Sequence, residues 1–230
     1  MAEPTRRVPP TPEEGTATAA PGRSYLPAMG RDWLLPLYDP FTRALGVRTA
    51  HRRLIEQADP RPGYRVLEIG CGTGNLLLLL KRLHPDAVGT GLDPDPRALA
   101  RAGRKARRAD LTVRLDRGFA SELPYPDASF DRVVSAFMFH HLEPADRLAV
   151  LREVRRVLAP GGSLHLLDFG GAGEGSEGLP ARLAHRSHRL HDNFGDRIPT
   201  LMREAGLVDP AETGHRVGLL GRYTYWRAHR

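Results

Sequence analysis

Residues 66–75 read VLEIGCGTGN, and this stretch decides the fold. A short apolar run leads directly into Gly70, Gly72 and Gly74, and Asn75 then opens a leucine-rich segment. Because glycine has no side chain to block a tight turn, the backbone here can come close to a bound ligand. The stretch therefore predicts a β-strand, a glycine-rich binding loop and a helix in direct succession.

The spacing of these glycines separates the loop from the one that dinucleotide-binding proteins carry at the same place. The dinucleotide loop reads GxGxxG and aims a helix N-terminus at a pyrophosphate group. Here the loop reads GxGxG, and Glu68 stands two residues before its first glycine. A glycine-rich loop by itself is weak evidence, but this spacing disfavours a dinucleotide.

Outward from the loop, short apolar runs alternate with helical segments, which is typical of a parallel sheet with connecting helices. The predicted strands are residues 65–69, 87–92, 111–115, 132–135 and 163–169. The predicted helices are residues 75–83, 96–108, 145–158 and 197–205, and Pro160-Gly161-Gly162 marks a turn after the third. Runs at 215–220 and 222–228 predict a closing hairpin at the sheet edge. The fold class is α/β, with a mostly parallel sheet, helices on both faces and a C-terminal antiparallel strand pair.

Length and composition indicate one domain with additions at its N-terminus. The chain has 230 residues, enough for one α/β domain. Residues 1–23 are rich in Pro, Thr, Ala and Glu without apolar periodicity, which predicts a disordered tail. Residues 24–62 bring aromatic and aliphatic side chains and predict a helical cap, and residues 63–230 form the domain itself.

The cellular location is predicted from cysteine usage and hydropathy. No apolar run approaches the ~20 residues that cross a bilayer, and the N-terminus has no apolar signal core. Cys71 is the single cysteine, so an internal disulfide is excluded. These features predict a cytoplasmic protein that does not insert into a membrane.

The chain is basic, with a net charge of +7 and a pI near 10.1. Five of the cations fall on a predicted outer helix, namely Arg101, Arg104, Lys105, Arg107 and Arg108. A nucleic-acid surface would interleave aromatic residues with such charge, and this helix has none. The simpler interpretation is a solvated helix face on a basic enzyme, although the charge alone does not exclude a nucleic-acid partner.

Three further segments complete a resemblance to a known family. Asp93 ends the second predicted strand, residues 123–131 read LPYPDASFD, and residues 151–162 read LREVRRVLAPGG. In this order after the glycine-rich loop, they resemble the motifs of class I S-adenosylmethionine-dependent methyltransferases, over residues 63–169. The resemblance implies a Rossmann-like fold, methyltransferase activity and S-adenosylmethionine as the cofactor.

The resemblance also implies which residues bind the cofactor. In the family, an acidic residue at the position of Asp93 accepts hydrogen bonds from both ribose hydroxyls, which suits a carboxylate. Tyr38 belongs to a Tyr-Asp segment that related enzymes use to close over the cofactor, with an ordinary core contact as the alternative. The implied set is Tyr38, Glu68, Gly70, Cys71, Gly72, Gly74, Asp93, Pro94, Phe119, Ala120 and Ser135.

One departure from the family pattern concerns the adenine contact. The family commonly reads Gly-Asp-Ala where this chain has Gly118-Phe119-Ala120. Phe119 cannot accept a hydrogen bond from the adenine amino group. We expect it to pack on the adenine ring instead, with the Ala120 amide near a ring nitrogen, while Asp116 is the alternative acceptor.

Methyl transfer from a sulfonium needs mainly alignment and water exclusion, so a base is required only when the acceptor must lose a proton. His140 and His141 follow the fourth predicted strand, at whose carboxyl end ligands bind. His140 is the candidate base, because an imidazole with an ordinary pKa near ~6.5 accepts protons at neutral pH. A packing or helix-entry role is the alternative. Three histidines, His185, His188 and His191, have side chains that can bind a metal, but their three-residue spacing also fits one solvent-exposed face of a helix. No metal site is predicted.

The leading acceptor is a small organic molecule, because the motif set resembles the ubiquinone/menaquinone C-methyltransferase branch. The alternatives are an RNA or protein methyltransferase, or a regulator that binds S-adenosylmethionine without turnover. We expect the acceptor pocket between the carboxyl ends of strands four and five, the cap and residues 170–190. Phe137, His140 and Tyr38 are then nearest the acceptor, and the predicted basic insertion brings Arg182, Arg186 and Arg189, which favour an acidic or polar acceptor.

Overall fold

In a computed structural model, the structure describes residues 47–170, 197–218 and 221–230. The helices in these ranges are α1 (Val47–Ala58), α2 (Asn75–Leu83), α3 (Pro96–Arg108), α4 (Pro144–Val157) and α5 (Arg197–Glu204). The strands are β1 (Arg65–Ile69), β2 (Val88–Asp93), β3 (Arg114–Arg117), β4 (Phe130–Ala136), β5 (Leu158–Phe169), β6 (Val208–Gly218) and β7 (Gly221–His229). A short 3₁₀ helix spans Phe139–His141. The predicted tail, most of the predicted cap and residues 171–196 lie outside the described residues.

The strands form one seven-stranded sheet in the order β3-β2-β1-β4-β5-β7-β6. Strands β1 to β5 pair in parallel, while β7 is antiparallel to both β5 and β6. The predicted α/β class, mostly parallel sheet and antiparallel C-terminal pair are confirmed. The order reverses between β1 and β4, which is the point where open α/β sheets bind ligands.

Apolar residues on both sheet faces explain why helices cover both. Val66 belongs to a buried cluster with α1 and α2, whereas its neighbour Leu67 belongs to a second cluster with α4 and α5. Successive side chains of a strand point to opposite faces, so a strand that is buried on both faces reads as a continuous apolar run. This is the run that precedes the glycine-rich loop.

The local sequence of α3 explains both its start and its position. Asp95 caps the helix by accepting the backbone N–H of Arg97 at 2.8 Å, and proline occupies the first turn. The buried residues of this helix are the alanines Ala98, Ala102 and Ala106. Small side chains on the buried face let the helix approach the glycine-rich loop closely, with Ala102 against Gly74.

Two predicted boundaries were wrong. The third strand is Arg114–Arg117 rather than residues 111–115, because the ladder with β2 begins at Thr90 and Arg114. The fifth strand begins at Leu158, so the predicted turn at Pro160 to Gly162 lies within it as an irregularity. Gly161 takes a positive φ of 76° there, which lets the chain bend before the regular pairing resumes.

The last two strands also extend further than their predicted segments. Strand β6 begins at Val208, although residues 208–214 read VDPAETG, include a proline and a glycine, and give no alternating pattern. It lies at the sheet edge, where only one neighbour pairs with it and side chains face solvent. In the part of the chain that is described, no helix combines the length and the apolar character needed to span a bilayer.

Candidate methyl-transfer site

The glycine-rich loop is tied to the end of the neighbouring strand. The backbone N–H groups of Gly70 and Cys71 both donate to the carbonyl oxygen of Leu92, at 2.8 and 3.0 Å. Gly70 has a φ of 69°, and a Cβ at this position would overlap the side chain of Met138. A Cβ on Gly72 would meet nothing within 4 Å. Packing therefore requires glycine at position 70, whereas position 72 borders open space that a ligand can enter.

Two other predicted loop residues are turned towards the protein. A Cβ on Gly74 would lie 2.9 Å from the Cβ of Ala102, so this glycine allows α3 to approach. The sulfur of Cys71 would lie 2.9 Å from a Cβ on Gly91, so the cysteine side chain packs over strand β2. Burial raises the pKa of the Cys71 thiol well above its ordinary value. Cys71 can therefore contribute to binding through its backbone rather than as a thiolate.

Asp93 ends β2 beside the loop, and each of its carboxyl oxygens already accepts one backbone hydrogen bond. Oδ2 accepts the N–H of Gly72 at 2.7 Å, and Oδ1 accepts the N–H of Asp95 at 2.9 Å. Burial raises the pKa of Asp93, while these two N–H groups act in the opposite direction. Each oxygen keeps a further lone pair for a ligand, so the carboxylate both shapes the loop and can accept from a diol.

Glu68 lies on β1 with 3% of its surface exposed. Its Oε2 has no hydrogen-bond partner among the described residues. Burial raises the pKa of this carboxyl well above its ordinary value; the backbone N–H of Leu77 lowers it and the nearby charge of Asp93 raises it further. A buried polar atom without a partner is rare in folded proteins, so this oxygen marks a place that a bound ligand can satisfy.

The predicted adenine-side residues lie next to Asp93. The N–H of Gly118 donates to the carbonyl oxygen of Asp93 at 3.2 Å, which brings Phe119 and Ala120 to the edge of β2. Both are partly exposed. Asp116, the alternative acceptor, is engaged elsewhere: it accepts the hydroxyl of Tyr125 at 2.9 Å and pairs with Arg114 at 2.8 Å. Both contacts use Oδ2, so Asp116 stays the alternative acceptor for the adenine amino group, beside Phe119 and Ala120.

The other two predicted cofactor residues, Ser135 and Pro94, make hydrogen bonds that hold the backbone near the strand ends. Ser135 is fully buried on β4, and its hydroxyl donates to the carbonyl oxygen of Ile69 at 3.2 Å. The carbonyl oxygen of Pro94 accepts from the guanidinium of Arg117 at 3.3 Å. Ser135 therefore holds the ends of β1 and β4 together where the strand order reverses.

A group of aromatic rings follows β4. Phe137 has a φ of 56°, a left-handed conformation that is uncommon for a residue with a bulky side chain, and its N–H donates to Leu167 at 2.8 Å. Its ring centroid lies 5.1 Å from that of Phe169 and 5.8 Å from that of Tyr223. The left-handed turn thus directs the chain from the strand end into an aromatic wall formed by Phe137, Phe169 and Tyr223.

His140 stands beside this aromatic wall and is held by a buried carboxylate. Its Nδ1 lies 2.7 Å from Oδ1 of Asp168, whose side chain is 0% exposed, and the His140 side chain is 14% exposed. Asp168 Oδ2 also accepts the backbone N–H of His140 at 3.0 Å, and Oδ1 accepts the N–H of Phe169 at 2.7 Å. One carboxylate at the end of β5 therefore fixes both the main chain and the ring of His140.

These contacts indicate which ring nitrogen carries the proton. Asp168 accepts from two backbone N–H groups, so its oxygens act as acceptors and Nδ1 of His140 is the donor. The lone pair is then on Nε2, the nitrogen on the far side of the ring. An imidazole oriented in this way by a carboxylate can take a proton from a neighbouring hydroxyl group.

Sequence reasoning assigned no role to Asp168. It lies in the apolar run of the fifth predicted strand, where no local pattern distinguishes a single acidic residue. The available signal was the one that identified Asp93, namely a carboxylate at the carboxyl end of a parallel strand. Tyr38 and the histidines of the predicted basic segment lie outside the described residues. Within the described ranges, no group of three or more His, Cys, Asp or Glu side chains could hold a metal ion.

Comparisons with known proteins agree with this geometry. A family model described as a methyltransferase domain matches residues 66–162. The chain is 39% identical over 153 residues to the demethylmenaquinone methyltransferase of Thermus thermophilus, a match that covers 65% of this chain and 69% of that protein. It is 40% identical over 119 residues to the 27-O-demethylrifamycin SV methyltransferase of Amycolatopsis mediterranei, covering 51% of this chain and 43% of that protein.

A solved structure shares the fold. The crystal structure of a SAM-dependent methyltransferase from Aquifex aeolicus superposes with a TM-score of 0.60 at 20% identity, covering 78% of this chain and 89% of that one. The described residues also fit the cofactor of such enzymes. Glu68 has a buried oxygen without a described partner, Gly72 borders open space and Asp93 retains lone pairs beside them. The chain therefore belongs to the class I S-adenosylmethionine-dependent methyltransferases and is related to the quinone-methyltransferase branch of that family.

Proposed function

We propose that this enzyme methylates a hydroxyl group of a small organic acceptor, with His140 as the general base and Asp168 as the residue that positions it. The observation that carries the proposal is the 2.7 Å contact between His140 Nδ1 and the fully buried Asp168. Methyl transfer to a group without a proton to lose would need no such pair. An acceptor that must lose a proton uses such a pair, and a hydroxyl group is one, because its oxygen gives up the proton during transfer.

We propose that the cofactor is held by the loop and by the ends of the neighbouring strands. When bound, S-adenosylmethionine supplies a methyl group on a positively charged sulfur, which is already an activated leaving group. The binding residues that the contacts favour are Glu68, Gly72, Asp93, Phe119 and Ala120, with Gly70, Cys71 and Gly74 shaping the loop. Pro94 and Ser135 support the strand ends. Tyr38 stays a proposed cover residue.

The remaining tasks fall to the chain's own side chains beyond β4. The Nε2 lone pair of His140 takes the acceptor proton while Asp168 stabilises the resulting imidazolium. The aromatic wall excludes water and offers ring faces to a planar acceptor. The names of the two relatives agree with small acceptors, since one is a demethylmenaquinone methyltransferase and the other is named for a 27-O-demethyl substrate.

The test begins with a screen in which S-adenosylmethionine carries a labelled methyl group. Pooled metabolites, RNA and protein are offered separately, and we expect label to enter only the metabolite pool. A phenolic or enolic acceptor from that pool is then compared with its own methyl ether, which has no proton to lose. Equal labelling of both would contradict an O-methyl product. Label in RNA or protein alone would replace the small acceptor, and binding without any transfer would indicate a regulator.

We also propose a cytoplasmic location. The single cysteine is buried, so the described fold makes no use of an oxidising compartment. Fractionation of cells that produce the tagged protein tests this directly. Recovery of most of the protein in the membrane fraction after a high-salt wash, which removes electrostatically bound proteins, would contradict it.

A further inference from the structure

A second concave site lies on the outer helices and is lined by positive charge. Its volume is about 500 Å³, and its walls come from the start of α1, from α2 and from α3. The cations that line it are Arg48, Arg82, Arg101, Arg104, Lys105 and Arg108, and we call it the basic cleft. Among the described residues, no acidic side chain lines it.

The tertiary structure changes how the basic face of α3 is interpreted. On the sequence alone, its arginines lie on a convex helix that faces solvent. In the fold, Arg48 of α1 and Arg82 of α2 line the same concavity as Arg104. Charges of one sign around a concave surface repel one another and focus a field that attracts counter-ions. A solvated helix face would account for the cations of α3, but it does not explain why cations from three helices line the same cleft.

The buried histidine in the cleft carries no charge at neutral pH. His51 is 8% exposed, and burial together with the charge of Lys105 lowers its pKa to about 4. The ring is therefore neutral at neutral pH. Lys105 itself donates to Asn75 at 2.5 Å and lies 3.4 Å from the hydroxyl of Thr73. An anion that enters the cleft thus meets guanidinium and ammonium groups.

The side chains favour phosphate as the anionic group. Five of the six cations are arginines, whose planar guanidinium groups match phosphate oxygens in pairs. The volume suits a compact group rather than an extended chain. The described lining contains no Phe, Tyr or Trp on which nucleobases could stack, which disfavours single-stranded nucleic acid.

We propose that the basic cleft binds a compact anion carrying two or more phosphate groups, alongside the cofactor rather than in its place. The cleft borders the methyl-transfer site, since His51 lines it and the His51 ring centroid lies 6.3 Å from that of Phe137. The phosphates could belong to a free metabolite or to the headgroups of anionic lipids, which present the same chemistry. The proposal does not depend on the acceptor or on the role of His140.

The test uses the full chain and inorganic tripolyphosphate as the probe. Binding is measured by calorimetry on the native protein and on the cleft variant Arg48→Gln/Arg82→Gln/Arg104→Gln, which removes one cation from each helix. The matched control is Arg52→Gln/Arg107→Gln/Arg152→Gln, which removes three exposed arginines that do not line the cleft. Both variants lose the same charge, so a general electrostatic effect would lower binding equally in both.

We expect the cleft variant to weaken tripolyphosphate binding by at least about tenfold, the scale of one lost hydrogen bond to a charged group. The control should stay within about twofold of the native protein, since exposed charges that do not touch the ligand are screened. Saturating S-adenosylhomocysteine should leave the binding unchanged. Equal losses in both variants, no binding to any phosphate probe, or competition by S-adenosylhomocysteine would each overturn the proposal.

A second arm identifies the source of the phosphate. Sedimentation with phosphatidylglycerol vesicles is compared with sedimentation with phosphatidylcholine vesicles, for the same three proteins. Cleft-dependent binding to phosphatidylglycerol alone supports the lipid source, and cleft-dependent binding to tripolyphosphate supports a free metabolite. A short RNA that binds through the cleft more tightly than either probe would replace the proposal with a nucleic-acid site.

Discussion

Replacement of Asp168 by asparagine is the most informative perturbation of the proposed base. Asp168 accepts three hydrogen bonds, from Nδ1 and the backbone N–H of His140 and from the N–H of Phe169. An asparagine has one acceptor oxygen, so its NH₂ group must face at least one of these donors. The ring of His140 then loses its hydrogen bond to a charged acceptor, while the shape of the side chain at position 168 is nearly preserved.

The magnitude follows from the contact that is lost. A hydrogen bond to a charged acceptor contributes about 1.5–3 kcal/mol, which corresponds to about 10- to 100-fold in rate when it orients a catalytic group. We therefore expect Asp168→Asn to lower kcat by that factor. His140→Ala removes the base itself and should lower kcat by about 10²- to 10⁴-fold. The double variant should be no slower than His140→Ala, because Asp168 acts through His140.

The assay is labelled-methyl transfer to the identified acceptor, with kcat measured across pH. Calorimetry with S-adenosylmethionine and thermal melting show whether each variant still folds and binds its cofactor. His84→Ala, at the end of α2, is the control for the loss of an imidazole away from the site. Wild-type kcat in both Asp168→Asn and His140→Ala would refute the base and leave alignment alone as the mechanism. Additive losses in the double variant would show that Asp168 does not act through His140.

Three further predictions concern residues of the proposed cofactor site, namely Gly70, Glu68 and Asp93. Gly70→Ala and Gly63→Ala both place an alanine at positive φ, 69° and 78°, which costs about 1–2 kcal/mol of stability in each variant. Only the alanine at position 70 also overlaps Met138, which costs about 1–3 kcal/mol more. Gly70→Ala should therefore melt several degrees lower than Gly63→Ala, and equal melting temperatures would contradict the packing argument. The raised pKa of Glu68 means that its contribution to stability is present below its unfolded pKa and is lost as pH rises towards the folded value. Glu68→Gln should therefore raise the melting temperature more at pH 8 than at pH 5, and a pH-independent difference in thermal melts would count against a protonated Glu68. Asp93→Ala should weaken S-adenosylmethionine binding by about 1.5–3 kcal/mol in calorimetry, since it removes a charged acceptor and releases two loop N–H groups; unchanged affinity would exclude Asp93 from the site.

Much of the fold could be predicted because its signals are local. The predicted bounds of β1, α2 and α3 agree with the structure at both ends. Each has a strong local cause: a run that is buried on both faces, glycines that end it, or an aspartate cap followed by proline. The resemblance to the family, and the cofactor that it implies, rested on the glycine-rich loop together with Asp93 and two further motifs, each of which is a short run of consecutive residues.

Two strand segments could not be predicted from the sequence because their local signals are weak. The first half of β6 contains Asp209 and Pro210 and has no alternation of apolar and polar residues that would predict a strand. Its pairing with β7 decides that it is a strand. The start of β5 reads as a turn, yet pairing between Leu158 and Phe130 draws it into the sheet. In both places a hydrogen-bond ladder supplied by another segment overrides the local preference.

The pairing of His140 with Asp168 and the basic cleft were decided by tertiary structure alone. Parallel pairing of β4 with β5 brings the carboxyl end of one strand beside the other, which places Asp168 within 2.7 Å of a ring that lies 28 residues earlier. The sequence determined that a nucleoside-binding loop and a histidine would lie at this edge of the sheet. Which carboxylate holds that histidine, and which arginines face one another, depends on strand order and helix packing, because these bring together residues that share no local pattern.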